Sequence, residues 1–140
     1  MTHPNFVGTI DLLNQASRLL SQQLSQRLKP TGLSVDKAKI LAFLTNEKSL
    51  TMGELAEILV VNNPTLTKMV DRMVTDNLVY REPDSTDRRK VVIRITNAGT
   101  DLYGTVQRVI QDQQHQLDSS YQHSEELGKL LSTLVQGLRR

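Results

Sequence analysis

Cysteine is absent from this 140-residue sequence. That excludes disulfides, thiolate redox sensing and cysteine metal ligands. Aromatic residues make up 4% of the chain, leaving few platforms for unpaired bases and arguing against a single-stranded nucleic-acid target. No apolar run approaches the roughly 20 residues of a membrane span. The N-terminus also lacks the basic start, apolar core and small-residue cleavage site of a signal peptide, so no membrane association and a cytoplasmic location are expected. No Ser–His–acid arrangement, phosphate loop or paired carboxylate stands out, so catalysis and a cofactor are not expected. The net charge of +2 is slight, and global electrostatics do not by themselves suggest nucleic acid. The length is that of one domain with a sizeable core.

What charge there is lies locally. Between Arg88 and Arg94 stand four cations and no anion, whereas Asp101 to Arg140 is close to neutral. Just before this cluster, Asn62 to Asn77 reads NNPTLTKMVDRMVTDN. Leu66, Met69, Val70 and Met73 fall at helical spacing and predict an inward face. The outer face carries Thr65, Lys68 and Arg72, with Thr67 and Asp71 beside them. Asn62 can cap this helix, and Pro64 in the first turn removes a backbone donor that had no intrahelical partner. With Asn63, these N-terminal turns offer amide, hydroxyl, pyrrolidine and cationic groups, the equipment for reading base edges and thymine methyls in a major groove. Asp71, three residues from Lys68, is expected to pair with that lysine rather than read cytosine.

Leu78 to Arg81 is short and apolar, and Glu82 to Asp87 is turn chemistry. Arg88, Arg89 and Lys90 then open the run VVIRIT. There Val91, Ile93 and Ile95 alternate with Val92, Arg94 and Thr96, predicting a strand with one apolar face. Two strands joined by a basic loop form a ribbon that can lay guanidinium groups along phosphates or into a narrow minor groove.

The flanks read as helices. From about Phe6, after a loose start over residues 1–5, Ile10, Leu13, Ala16, Leu20, Leu24 and Leu28 recur at threes and fours until Lys29-Pro30 ends the run. Thr31-Gly32 is a turn. Ser34 caps a helix over Val35 to Asn46 with an inner face of Ala38, Leu41, Ala42 and either Phe43 or Leu44. Leu50-Thr51 suits a very short strand. Thr51 with Glu54 makes a capping box for a brief helix buried at Leu55, Ala56, Ile58 and Leu59. Val60 and Val61 supply the turn of a helix-turn-helix. Asn77 sits where the next helix must end in a left-handed residue. Thr96 or Asn97 caps a long helix striped by Leu102, Val106, Val109, Ile110 and Leu117, and its glutamine-rich part, Gln107 to Gln116, reads as a solvated face. Ser124 begins a last helix, apolar at Leu127, Leu130, Leu131, Leu134, Val135 and Leu138. The expected fold is mainly α with a small β-wing: a winged lobe over about 34–97, with dimerisation helices over about 5–29 and 97–140. A lobe this small cannot bury three wide terminal stripes, and interleaving of two chains solves that with a twofold axis.

The pieces LTMGELAEIL, NNPTLTKMVDRMVTDNLVYR and DSTDRRKVVIRITNAG, in this order, resemble the MarR family of bacterial transcriptional regulators. The last resembles the family's wing signature, here Asp87, Arg88 and Arg89 followed by Ile95, Thr96 and Gly99. The Asn-Pro-Thr-Leu-Thr-Lys and Asp-Arg-Arg wording is most similar to the SlyA branch. The resemblance implies a homodimer on pseudo-palindromic double-stranded DNA, usually a repressor, commonly released by small anionic or aromatic effectors. It would place Arg89 in the minor groove with Asp87 holding the wing by ion pairing, and Pro64, Thr65 and Lys68 at the major groove. It also implies a ligand pocket walled by the first helix, the helix from Val35 and the start of the helix from Asn97, with Leu20, Leu24, Lys39 and Phe43 as candidates by location. Asn77 stands where the family usually has glycine, and Val60 where a small or polar residue is usual.

Other readings stay open. A winged-helix module that binds protein instead of DNA fits the slight net charge, and the wing cations count against it. Arg88, Arg89 and Lys90 could instead be a soluble hairpin tip or edge-strand protection. His3, His115 and His123 invite a metal reading. His115 and His123 share a face only if one helix runs through Ser119 and Ser120, and no carboxylate has metal-helix spacing. Phe43, Tyr80, Tyr103 and Tyr121 suit core or interface.

Overall fold

The computed structural model describes residues 8–139. The expected helix onset at Phe6, the start over residues 1–5 and His3 lie outside the described residues. Helix α1 (Thr9–Leu28) buries Leu24 and Leu28. A 3-10 turn (Lys29–Thr31) follows, closed by Gly32 at φ +72°. The Thr31 hydroxyl donates to the Leu28 carbonyl (2.6 Å) and accepts from the Leu33 N–H (3.1 Å), so the exit from α1 is held by side-chain bonds that continued helix would have made itself.

Helix α2 (Val35–Glu47) starts at Ser34, whose hydroxyl accepts from the Lys37 N–H. Ala38 and Leu41 are buried as expected, Leu44 rather than Phe43 completes that face, and Ile40 joins it. The buried arc is wider than one stripe because α2 is packed by α1 and by the sheet and later helices together. Strand β1 (Ser49–Thr51) leads into α3 (Met52–Leu59), where both halves of the Thr51–Glu54 capping box form. Helix α4 (Asn63–Thr75) buries Leu66, Val70 and Met73 and ends at Asn77, which takes the left-handed conformation (φ +61°).

Strands β2 (Val79–Pro83) and β3 (Val91–Ile95) form the wing, and β1 adds to the other edge, giving an antiparallel sheet of order β1-β3-β2. The strands depart from the sequence pattern in two places. Glu82 and Pro83 belong to β2, paired with Val92 and Val91, not to the turn. In β3, Val92 and Ile93 are buried while Val91 is exposed. Simple alternation fails because β3 is the central strand. Val92 lies between Thr51 and Glu82 and is shielded by both neighbours, whereas Val91 sits at the outer end opposite Pro83.

Helix α5 (Asn97–Ser120) begins at Thr96, and α6 (Ser124–Leu138) folds back beyond a short elbow. The glutamine-rich part of α5 is largely exposed, Gln116 included, with Gln113 half-buried. Gln113 Nε2 donates to the Leu20 carbonyl (2.8 Å), and Gln116 accepts from Arg27, tying α5 to α1. At the elbow the Asp118 carboxylate accepts from the Ser124 hydroxyl (2.6 Å) and from Gln114 (3.1 Å). Because α5 ends at Ser120, His115 stands on α5 and His123 in the elbow, at the N-cap of α6. Among the described residues, no helix is long and apolar enough to cross a membrane, and no cluster of three metal-ligating side chains occurs.

The main core runs from α1 to the first half of α5, centred on Leu28, Ile40, Leu41, Leu44, Leu55, Leu66, Met73, Ile93 and Val106. Helix α6 contributes no buried residue.

Candidate nucleic-acid interface

The surface begins at the N-terminus of α4. Asn62 has extended backbone and its Oδ1 accepts from the Thr65 N–H at 2.9 Å, which satisfies one orphan donor of the first turn. With Leu66, Val70 and Met73 locked inward, helical geometry turns Asn63, Pro64, Thr65, Thr67 and Lys68 outward, and all are exposed. Arg72, one turn beyond Lys68, is exposed too, but its Nε is engaged by Asp76 at 3.2 Å. Asp71 does not pair with Lys68. It accepts from Arg81 Nη2 at 2.6 Å, so the bridge joins α4 to β2. That leaves the Lys68 ammonium uncommitted on the outer face.

The wing loop between β2 and β3 is shaped by its own aspartates. The Asp84 N–H donates to the Lys90 carbonyl and the Lys90 N–H to the Asp87 carbonyl, both at 2.9 Å. The Asp84 carboxylate accepts from the Thr86 hydroxyl (3.2 Å). Asp87 Oδ1 accepts from both the backbone N–H and Nε of Arg89, each at 3.2 Å. The Arg89 side chain, then its backbone N–H, and the charge of Lys90 hold the Asp87 carboxyl below its ordinary value. Arg89 is nonetheless 92% exposed along its side chain. The carboxylate orients a guanidinium that projects into solvent.

Among the described residues, Lys68, Arg88 and Lys90 have no ion-pair partner. Arg94, counted with the wing cations in the sequence, is instead paired with Glu82 across the sheet. The register sets this: Glu82 opposes Val92 and Arg94 opposes Tyr80, which puts Glu82 and Arg94 diagonally on one face.

The wing is fixed to α4 through Thr96. Its hydroxyl donates to the carbonyls of Asn77 (2.7 Å) and Leu78 (3.1 Å) and accepts from the Gly99 N–H (2.9 Å). Gly99 lies so close to Leu78 that a Cβ there would meet the Leu78 carbonyl oxygen at 2.2 Å. One hydroxyl and one missing side chain thus join the end of α4, the start of β2 and the cap of α5.

With this arrangement established, known proteins offer a direct comparison. The sequence pattern of the MarR family matches residues 33–91, from the turn before α2 to the start of β3. Over those residues the winged helix is similar to the MarR family. The multiple antibiotic resistance protein MarR of Escherichia coli is 26% identical over 105 residues, 75% of this chain and 73% of that protein. The homoprotocatechuate degradative operon repressor of Escherichia coli is 29% identical over 113 residues, covering 81% and 76%. Among solved structures, a mutant MarR from E. coli complexed with operator DNA superposes with a TM-score of 0.77 at 25% identity, covering 88% of this chain and 90% of that one.

The MarR-family resemblance also pointed to a ligand pocket. An open cleft of about 1000 Å³ lies between α1 and the far half of α5, flanked by α2 and α6. Leu20, Leu24 and Lys39 line it and Phe43 does not, since Phe43 packs against the main core. The α5 wall is Gln113 and Leu117 rather than the start of the helix. That first half of α5 is occupied with core packing around Val106. Tyr121, Leu127 and Leu131 were not foreseen as lining residues. Their part depends on the elbow turning α6 back, which no local pattern specifies.

Proposed function

We propose that this chain is a cytoplasmic, homodimeric, sequence-specific DNA-binding transcriptional regulator, acting as a repressor at a pseudo-palindromic operator. The carrying observation is the uncommitted, exposed polar and cationic N-terminal face of α4 beside a wing whose Arg89 is oriented by Asp87. Asn62, Asn63, Pro64, Thr65, Thr67 and Lys68 face the major groove, Arg72 flanks them, and Arg88, Arg89 and Lys90 reach phosphates and the minor groove. The DNA-bound relative and the repressor relative support the reading.

Helices α1, α5 and α6 form the dimerisation unit. Ile10 and Leu12 on α1 and Leu130, Leu134, Val135 and Leu138 on α6 are large apolar side chains left in water by the single chain, and a twofold mate covers them. The apolar cleft, with Lys39 at its wall, suits a small aromatic carboxylate as effector. The Asn-Pro-Thr-Leu-Thr-Lys wording supports placement near the SlyA branch.

The test is selection from random duplex DNA, sequenced at low and high salt. An enriched inverted repeat with half-sites about one helical turn apart is expected. Salt-sensitive binding without an enriched sequence would replace regulation with compaction, and absence of binding at either salt would favour a protein-interaction module. On the selected site, Arg89→Ala is expected to weaken cognate and random duplex alike and to lower the salt slope by about one per half-site. Lys68→Ala is expected to cost more on cognate than on random duplex. Equal losses would reduce Lys68 to a phosphate contact.

A further inference from the structure

Val60 occupies a position that its side chain disfavours twice. Its backbone is left-handed (φ +57°, ψ +51°), at the C-cap of α3 and two residues before the Asn62 cap of α4. There the chain turns from one helix to the next: the Val60 N–H reaches the Glu57 carbonyl and the Val61 N–H the Ala56 carbonyl. The turn needs this geometry, and glycine or asparagine would supply it with little strain. A β-branched residue meets steric conflict between its side chain and its own backbone.

Burial does not compensate. Val60 is 82% exposed, whereas Leu55 is buried and Met52, Ala56, Ile58, Leu59 and Val61 all pack against the core. The next most exposed large apolar side chains, Leu138, Ile10 and Leu130, lie on the terminal helices. The isopropyl group therefore gains nothing within the chain and stands beside the end of α4 that faces DNA. A strained backbone at a functional edge, carrying an exposed apolar group, is accounted for by a contact made only in the complex.

We propose that Val60 is a specificity-determining residue that packs its methyl groups on the C5-methyl of a thymine at the edge of the α4 footprint. In the major groove that methyl is the one apolar feature distinguishing thymine from the other bases, and a branched aliphatic side chain is its natural partner. The proposal rests on the DNA-binding reading above.

Replacing thymine by deoxyuracil deletes only the methyl group and leaves base pairing intact. On the selected site, thymines are replaced one position at a time, symmetrically in both half-sites, and affinities are measured for wild type, Val60→Gly and Val60→Asn. At one position wild type is expected to lose about fourfold per half-site, the worth of one buried methyl group. At that position both variants are expected to lose less than about twofold, because the partner of the methyl is gone. Both variants should melt no lower than wild type, since each tolerates the left-handed turn.

Two results would overturn the proposal while leaving the DNA-binding reading intact. One is specific binding by wild type that ignores uracil at every thymine. The other is a uracil penalty of equal size in wild type and Val60→Gly. Failure of wild type to bind any duplex would remove the underlying reading, and this inference with it.

Discussion

Gly99 shows how much one absent side chain decides. The start of α5 must approach Leu78 closely enough for Thr96 to bond the Asn77 and Leu78 carbonyls and the Gly99 N–H together. A methyl group at residue 99 would sit 2.2 Å from a backbone oxygen and 2.7 Å from the Ile95 side chain. Backbone cannot rotate aside as a flexible side chain can, so α5 must shift. Gly99→Ala is expected to destabilise the chain by about 3 kcal/mol in chemical denaturation. It should also loosen the wing relative to α4, lowering DNA affinity at temperatures where the variant is fully folded. Retained stability would mean that α5 slides freely on β2.

At the scale of elements, the α5–α6 elbow hangs on Asp118. Its carboxyl is held below the ordinary 3.8, first by the Ser124 hydroxyl and then by the Gln114 amide. A carboxyl with a lowered folded value contributes stability that is fully present above its unfolded value and is lost as pH falls through the folded one. The stability difference between wild type and Asp118→Ala is therefore expected to be flat above about pH 5 and to shrink progressively below about pH 4. Equilibrium denaturation at several pH values measures it. A difference that grows on acidification would contradict the assigned bonds. The wing follows the same logic with Asp87 and Arg89, but its loop also has two backbone bonds between Asp84, Asp87 and Lys90 that do not titrate.

At the scale of the molecule, the terminal helices decide whether the chain can act as one copy. Leu130 and Leu138 are 69% and 75% exposed and no residue of α6 is buried. In an isolated chain, charged replacements there should change stability by no more than about 0.5 kcal/mol. In a dimer that covers them, they would strand charge in an apolar interface. The double variant Leu130→Glu, Leu138→Glu is expected to be monomeric in sedimentation, to melt lower, and to lose preference for a two-half-site duplex over a single half-site. Unchanged mass and melting would place the dimer interface elsewhere. Because affinity for a palindrome depends on both half-sites binding together, such a variant would lose regulation with its reading surface intact.

Much of this architecture was legible from the order of residues because it is made by near neighbours. Ser34, Thr51 with Glu54, Asn62 and Thr96 each cap a helix through a bond three residues away, and helical spacing alone turned Thr65 and Lys68 outward while it buried Leu66 and Val70. What the order of residues left open depends on partners far apart in the chain. Asp71 had Lys68 within reach on its own helix, yet Arg81 arrives from β2 and takes it. Arg94 looked like a free wing cation until strand register set it diagonal to Glu82. The bonds of Gln113 and Gln116 to α1 form only where α5 crosses it, and Val92 read as outward until β1 joined the sheet beside β3. Local geometry is set by covalent proximity and needs only the sequence, whereas the pairing of charges and the shielding of a strand face require the tertiary fold that brings distant segments together.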